Sequence, residues 1–523
     1  MQTFWQSVID SLSAAPAYER QAAAVARPLG QATGTEVYAE SVCAEGGALF
    51  ALARRDVEQV LLVAWPKGKR PAIARAFKGK PHEAALPVGP TEILEAPRSA
   101  AHATALRAAL PFTAPQAAAG RPTIGLGDRL GLATPGHVRA VRGTGFVPML
   151  AQQSIREMTR TQRSAEDVLN DATWGVFQTG FRTGFGADAD HLKTPDDADR
   201  CSRAGFTRYT IDPGAHVDNS ADTAAPADLA TKFDALPWGA LEMSAADARR
   251  HHIGHRVDFG GMPPLVIDEA VLLRAAVKYG RAVAHTVAMY RHLVATRGQG
   301  RFELEVSVDE TETPTTPAEH FFVARELARL GVEWVSLAPR FVGRFEKGVD
   351  YIGDVALWER EFVAHLAIAE RFGNYKISLH SGSDKFSLYE AAARHGRGRV
   401  HVKTAGTSYL EALRVIARCE PRLFREILDF ARYGYETEKA TYHVSASLDR
   451  VPISVVLTDG QLAGVLDQFD GREVLHVTFG SVLTEDGGRR FRGRLLDALR
   501  RHEEAHAEAL RVHIGRHLAP FVM

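Results

Sequence analysis

Two short runs carry the groups with the most evident chemistry: Lys376-Ile-Ser-Leu-His380 and His401-Val-Lys403 set imidazoles and amines at alternate positions among apolar residues. Alternate side chains on a strand share a face, so Lys376, Ser378 and His380 project together, as do His401 and Lys403. Two histidines on matching faces of successive strands could share a divalent metal. Upstream, Ala187-Asp-Ala-Asp-His191 offers an imidazole beside the carboxylates of Asp188 and Asp190. Glu303, Glu305, Ser307 and Asp309 alternate with Phe302, Leu304, Val306 and Val308. Buried carboxylates need partners, and the histidines on the following elements favour an interior place for Glu305 over a solvent-facing edge. Lys403 could form a Schiff base if deprotonated, or else make a salt bridge or meet a substrate carboxylate, and its neighbours favour the last.

Other motifs are weaker. His251, His252 and His255 stand beside Arg249, Arg250 and Gly254, which suggests an exposed turn. His216, in Asp212-Pro-Gly-Ala-His216, either faces the site or orders its loop. Gly125, Gly127 and Gly131 miss the dinucleotide-binding spacing by one residue and run into Pro135-Gly136, read as a turn rather than a helix, which argues against a nicotinamide site.

The elements that must position these groups alternate. Strands are expected at Thr123 onward, Val176 to Gln178, Arg208 to Ile211, Phe302 to Val308, Trp334 to Ala338, Tyr375 to His380 and Arg399 to Thr404. Thr316-Pro317 with Glu319 opens a helix in the pattern of a capping box. Strand–helix alternation predicts a parallel sheet, and the count suggests an α/β fold with a (β/α)8 TIM-barrel-like core. Active sites of such barrels lie at the C-terminal strand ends. After the last strand, Gly406 frees the backbone, and Ser408 with Glu411 has capping-box spacing, so Thr407 and Ser408 begin a helix able to hold an anion. The expected organisation is an N-terminal α/β region over residues 1–115, with strands at Leu49 to Ala53 and Val60 to Ala64, and a barrel over 120–485. An insertion occupies about 218–300, with a helix from about Asp268 to Val294, and a C-terminal helical tail over 486–523 packs as a charged helix across the outside.

Lysine plus arginine balances aspartate plus glutamate at 63 each. A neutral chain without a basic block argues against nucleic acid or an anionic membrane as the main partner. The three cysteines lie far apart and form no metal or redox motif, the N-terminus lacks a signal-peptide pattern, and no apolar run reaches spanning length, so a cytoplasmic protein is expected.

Glu305-Val-Ser-Val-Asp-Glu-Thr-Glu-Thr-Pro314, Lys376-Ile-Ser-Leu-His-Ser-Gly-Ser-Asp-Lys-Phe386 and His401-Val-Lys-Thr-Ala-Gly-Thr-Ser-Tyr-Leu-Glu-Ala-Leu413 resemble the tagaturonate/fructuronate epimerase family. Gly127 to His137 and Ala187 to His191 look like the same family, so the resemblance runs from about Gly127 to Ser447. It implies an isomerase of hexuronate catabolism that depends on a divalent metal (Mn, Co, Ni or Zn) and takes a small ketouronate as its partner. The strand-face argument then assigns His191, His380 and His401 to the metal and Asp190 and Glu305 to proton exchange, leaving Arg129, Lys403, Thr407 and Ser408 to bind substrate. The carbinol carbon to be inverted lies β to the ketone, whose carbonyl does not acidify its C–H. Without a nicotinamide site, retro-aldol cleavage and re-addition is the expected route. A metal-dependent aldolase or ketose isomerase acting on another sugar acid is the alternative enzyme, and a sugar-acid sensor the alternative class.

Overall fold

From Thr123 to Thr404 eight parallel strands close on themselves in the computed structural model, which describes residues 18–86, 89–259 and 263–522. The strands are β1 (Thr123–Leu126), β2 (Val147–Ser154), β3 (Gly186–Leu192), β4 (Arg208–Ile211), β5 (Glu303–Ser307), β6 (Ser336–Ala338), β7 (Lys376–Leu379) and β8 (Val400–Thr404). Each pairs with its neighbours in chain order, and β8 closes onto β1 through His401↔Thr123 and Lys403↔Gly125. The TIM-barrel-like core is therefore as expected.

Local chemistry fixes several strand-to-helix turns. Ser154 with Glu157, Ser164 with Asp167, Thr194 with Asp197 and Thr316 with Glu319 each form a complete capping box. Such caps satisfy backbone N–H groups that a helix start leaves open, each worth about 1 kcal/mol. Val176 to Gln178, expected as a strand, is instead the end of the helix Ala165–Gln178. The strands on either side of that helix are β2 and β3, neither among those expected; the eight residues of β2 are all buried and so carry no polar alternation, and β3 carries Asp188, Asp190 and His191. Pro135 and Gly136 likewise sit in a helix, Thr134–Val141, with proline in its first turn, where its missing N–H costs nothing. Gly136 permits close packing there, since a Cβ would stand 2.5 Å from Leu510 Cβ.

The N-terminal region is a six-stranded antiparallel sheet whose alternating residues serve two layers. Leu49, Ala51, Leu62 and Ala64 pack with Ala22 and Leu29 of the helix Tyr18–Thr33, while Phe50, Leu52, Leu61 and Val63 pack toward Trp174 and Phe177 of a barrel helix. Between β4 and β5 the helices Pro226–Asp234, Ala245–His252 and Glu269–Arg297 lie on the barrel's outer core. His252 is buried there with Nε2 2.9 Å from Glu326, so the expected exposed turn is in part a packed helix end.

After β8, the helix Thr407–Cys419 shares an apolar cluster with Pro421–Glu438, Phe469–Val477 and Arg492–Arg501. The single charged helix expected near the C-terminus is two, Arg492–Arg501 and Glu503–Leu518. The second buries His506, Leu510, His513, Ile514 and His517 instead of lying across the outside. Among the described residues no helix is long and apolar enough to cross a membrane.

Candidate active site

The barrel interior is lined by polar side chains at successive heights. At the base, Lys376 Nζ donates to Arg121 O at 2.5 Å, and His401 Nδ1 lies 2.9 Å from Thr123 Oγ1. In the middle, Lys403 Nζ meets Asp188 at 2.9 Å, Asp190 at 2.7 Å, Glu305 at 2.8 Å and Thr210 Oγ1 at 2.7 Å. Glu305 also accepts from Arg208 at 2.5 Å and from Ser336. Burial alone would lower the Lys403 pKa, but the three carboxylates outweigh it and hold the ammonium well above the usual lysine value. A permanently charged amine cannot form a Schiff base. Lys403, expected to meet a substrate carboxylate, lines the inner cavity, with its ammonium held by Asp188, Asp190, Glu305 and Thr210.

At the C-terminal strand ends Asp190, His191 and His380 converge, each offering a ligand atom within 4.8 Å of the others. The rings of His191 and His380 meet edge to face at 5.1 Å. Consecutive residues of a regular strand face opposite ways, yet both Asp190 and His191 reach this cluster. The register between β3 and β4 slips there, Tyr209 pairing with Ala189 but Ile211 with Leu192, and His191 takes φ 52°. This is a β-bulge, in which one extra residue turns a second side chain to the same face.

Each imidazole has a carboxylate behind it. His380 Nε2 lies 2.6 Å from Glu305 Oε1, and His191 Nδ1 lies 3.4 Å from Asp212 Oδ2. Such partners fix the tautomer and leave the other nitrogen for a metal. That leaves His380 Nδ1, 3.2 Å from Asp309, and His191 Nε2, 3.9 Å from Asp190. Burial would depress the His191 pKa, but Asp190, Asp212, Asp309 and Glu310 raise it to about 10, a field that favours a cation. Two nitrogens and a carboxylate oxygen are a suitable donor set for a first-row divalent ion.

Two cavities open on this cluster, an outer one of about 260 Å³ and a smaller inner one; Arg156, Lys347, His380, Ser381 and Tyr442 line both.

His401 shares the barrel face of His380 but not its height. It pairs with Ser378, two residues before His380, or about 6.6 Å lower at 3.3 Å per residue. Among the described residues it joins no group able to hold a metal. Glu305 is fully buried with both oxygens occupied, which suits holding His380 rather than exchanging protons with substrate. Asp190 reaches the cavity, but as a member of the ligand cluster held by Lys403 and by Gln152 at 3.0 Å. Arg129 lines the inner cavity, with Nε 3.0 Å from Glu157 and its guanidinium 3.6 Å over the Phe479 ring. The Thr407 hydroxyl lies 2.7 Å from His513 Nε2 and that of Ser408 2.7 Å from His137 Nε2. The Ser408–Glu411 capping box is absent because Gly406 is the N-cap. The helix start still borders the inner cavity through Ala405 and Gly406.

Asp309 and Asp212 had no assigned role. Asp309 lies on the alternation already visible from Glu303, whereas Asp212 is recognisable only once the bulge brings His191 toward it. Nothing in sequence marked Lys347.

A closed parallel barrel with imidazoles and carboxylates gathered at its C-terminal strand ends defines a (β/α)8-barrel enzyme. The model of the tagaturonate epimerase family matches residues 38–521. The tagaturonate/fructuronate epimerase of Thermotoga maritima is 42% identical over 485 residues, covering 93% of this chain and 96% of that protein. Glycerol-complexed and native crystal structures of the fructuronate-tagaturonate epimerase of Cohnella laeviribosi superpose with TM-scores of 0.87 and 0.86 at 36% identity, covering 96% of this chain and 99% of theirs. The chain belongs to the tagaturonate epimerase family and is an isomerase.

Proposed function

We propose that the protein interconverts D-tagaturonate and D-fructuronate by cleaving and re-forming the bond between the inverting carbinol carbon and its neighbour on the ketone side. The observation that carries this reading is the Asp190–His191–His380 cluster, backed by Glu305 and Asp212, at the active-site end of a barrel of this family. When bound there, a divalent cation would supply Lewis acidity toward the ketone oxygen.

The chain's own groups supply the rest. Asp309 lines the outer cavity beside His380 and is placed to take the proton of the β-hydroxyl. As that proton leaves, the carbinol carbon becomes an aldehyde, and the electron pair of the breaking C–C bond passes to the ketone half as an enediolate. Rotation of the aldehyde exposes its other face, the bond re-forms, and Asp309 returns the proton to the new alkoxide. Glu305 and Asp212 hold the imidazoles, and Lys403 keeps Asp190 ionised. The test is to strip the protein of metal, reload it separately with Mn²⁺, Co²⁺, Ni²⁺ or Zn²⁺, add D-tagaturonate and follow fructuronate by NMR. Conversion that needs the ion supports the reading, and no conversion with any ion overturns it.

A further inference from the structure

Among the described residues, the cations around the two cavities are neutralised except Lys347 at their junction and Arg340 on the outer cavity. Arg156 pairs with Glu310 at 2.8 Å, Arg129 with Glu157 at 3.0 Å, and Arg344 with Glu346 at 3.4 Å. Lys403 is enclosed by three carboxylates. Lys347, between β6 and the helix Val355–Arg371, lines both cavities and donates to Ser381 Oγ at 2.5 Å, beside His380. Among the described residues no carboxylate lies within ion-pair distance of it. Burial, and after it the neighbouring Arg156, disfavour its charge and outweigh Glu310, Asp309 and Glu157, which favour it from beyond ion-pair distance. An ammonium kept in such a place with no carboxylate in direct contact is matched by an anionic ligand. Arg340 also lacks an ion pair but lines the outer cavity alone.

We propose that Lys347 is the carboxylate-binding residue of this site and the one that selects ketohexuronates over neutral ketohexoses. The proposal rests on the epimerase reading for the identity of its ligand. It also has a consequence for the reaction. Cleavage on the ketone side of the inverting carbon leaves the carboxylate on the aldehyde half, the half that must turn. A point-like ammonium anchors that end while leaving rotation about the fragment's own bonds free.

The experiment uses metal-loaded full-length protein, wild type, Lys347→Met, Lys347→Arg and Arg340→Met. Binding of a hexonate, whose ketone position is a carbinol, is compared with binding of the matching polyol by calorimetry, which needs no turnover. Epimerisation of ketohexuronate is compared with that of the ketohexose in which CH₂OH replaces the carboxylate. Lys347→Met should weaken hexonate binding and lower kcat/KM for the uronate by about 30- to 300-fold, mostly through KM, with polyol binding and ketohexose turnover changed less than about threefold, as for loss of a charge-assisted contact. Lys347→Arg should recover part of the loss. Equal losses on charged and neutral ligands would mean a structural role and overturn the proposal, as would unchanged hexonate binding in Lys347→Met. Selective loss in Arg340→Met alone would overturn it in favour of Arg340. If hexonate binding depends on Lys347 while no epimerisation occurs in any form, carboxylate recognition stands and the epimerase reading fails.

Discussion

His191 Nε2 stands 3.9 Å from Asp190 Oδ1, two neighbours in sequence brought to one site by the bulge in β3. Because the bulge is a backbone feature, exchanging either side chain leaves the other in place. His191→Ala and His380→Ala should therefore each lose bound metal while keeping the fold. Glu305→Gln should weaken metal binding by about 10- to 100-fold through the loss of His380's partner. His401→Ala should retain metal. Elemental analysis after dialysis separates these cases, and metal loss in His401→Ala would return that residue to the ligand set.

Lys403 balances Asp188, Asp190 and Glu305, all four buried in the barrel interior. Removing one partner of a buried ion network leaves uncompensated charge and costs about 3–5 kcal/mol. Lys403→Met should lower the urea midpoint accordingly, and adding Asp188→Asn should restore part of the loss. No recovery in the double variant would show that the ammonium contributes through packing instead.

A third expectation concerns alkaline pH. Burial, together with a hydrogen bond to Glu346, pushes the Glu473 carboxyl up from 4.5 to about 8, while Ser445 and Ala446 donate their backbone N–H groups to it. Between those values the folded chain holds a proton that the unfolded chain has released. This contribution is full below about 4.5 and is lost as pH rises toward 8. Glu473→Gln should flatten that decline, raising Tm relative to wild type more at pH 8.5 than at pH 5. Parallel Tm profiles for the two proteins would show that Glu473 is ionised throughout.

Turnover in D₂O tests the route of inversion. Cleavage keeps the original hydrogen on the inverting carbon, because it remains on the aldehyde. Deuterium should therefore be absent there after many turnovers, as read by NMR. Incorporation that scales with turnover would mean proton abstraction at carbon and would recast Asp309 as a carbon base. A tightly bound nicotinamide released on denaturation would instead favour transient oxidation.

The barrel was legible because its later strands mix buried apolar faces with polar ones, and alternation is visible when one face differs in chemistry from the other. β2 escaped for the converse reason, since all its residues from Val147 to Ser154 are buried. A run ending in Gln152-Gln153-Ser154 has no two-residue period. Its one signal was the Ser154–Glu157 spacing of the helix that follows. His380 and Lys403 were found from face alone, but height in a barrel depends on stagger between strands, and that misplaced His401. The bulge at His191 carries no glycine to announce it. Thr407 and Ser408 mark a helix start near the cavity, but their hydroxyls serve histidines whose partnership no local pattern encodes.

Asp384, four residues after His380, lies 2.7 Å from His513 Nε2 and receives Arg472 at 2.8 Å, while its own N–H donates to His517 at 2.9 Å. These partners lie 88 to 133 residues farther along the chain. A ribosome delivers segments in order, and early ones can fold before later ones exist. All eight barrel strands are made before Arg472, His513 and His517, so until those residues emerge the Ser381–Lys385 loop lacks three of the side chains that hold it. Lys347, Glu346, Val349, Tyr389 and Lys403 can hold this loop once the barrel strands are made, and the contacts from Arg472, His513 and His517 join it afterwards.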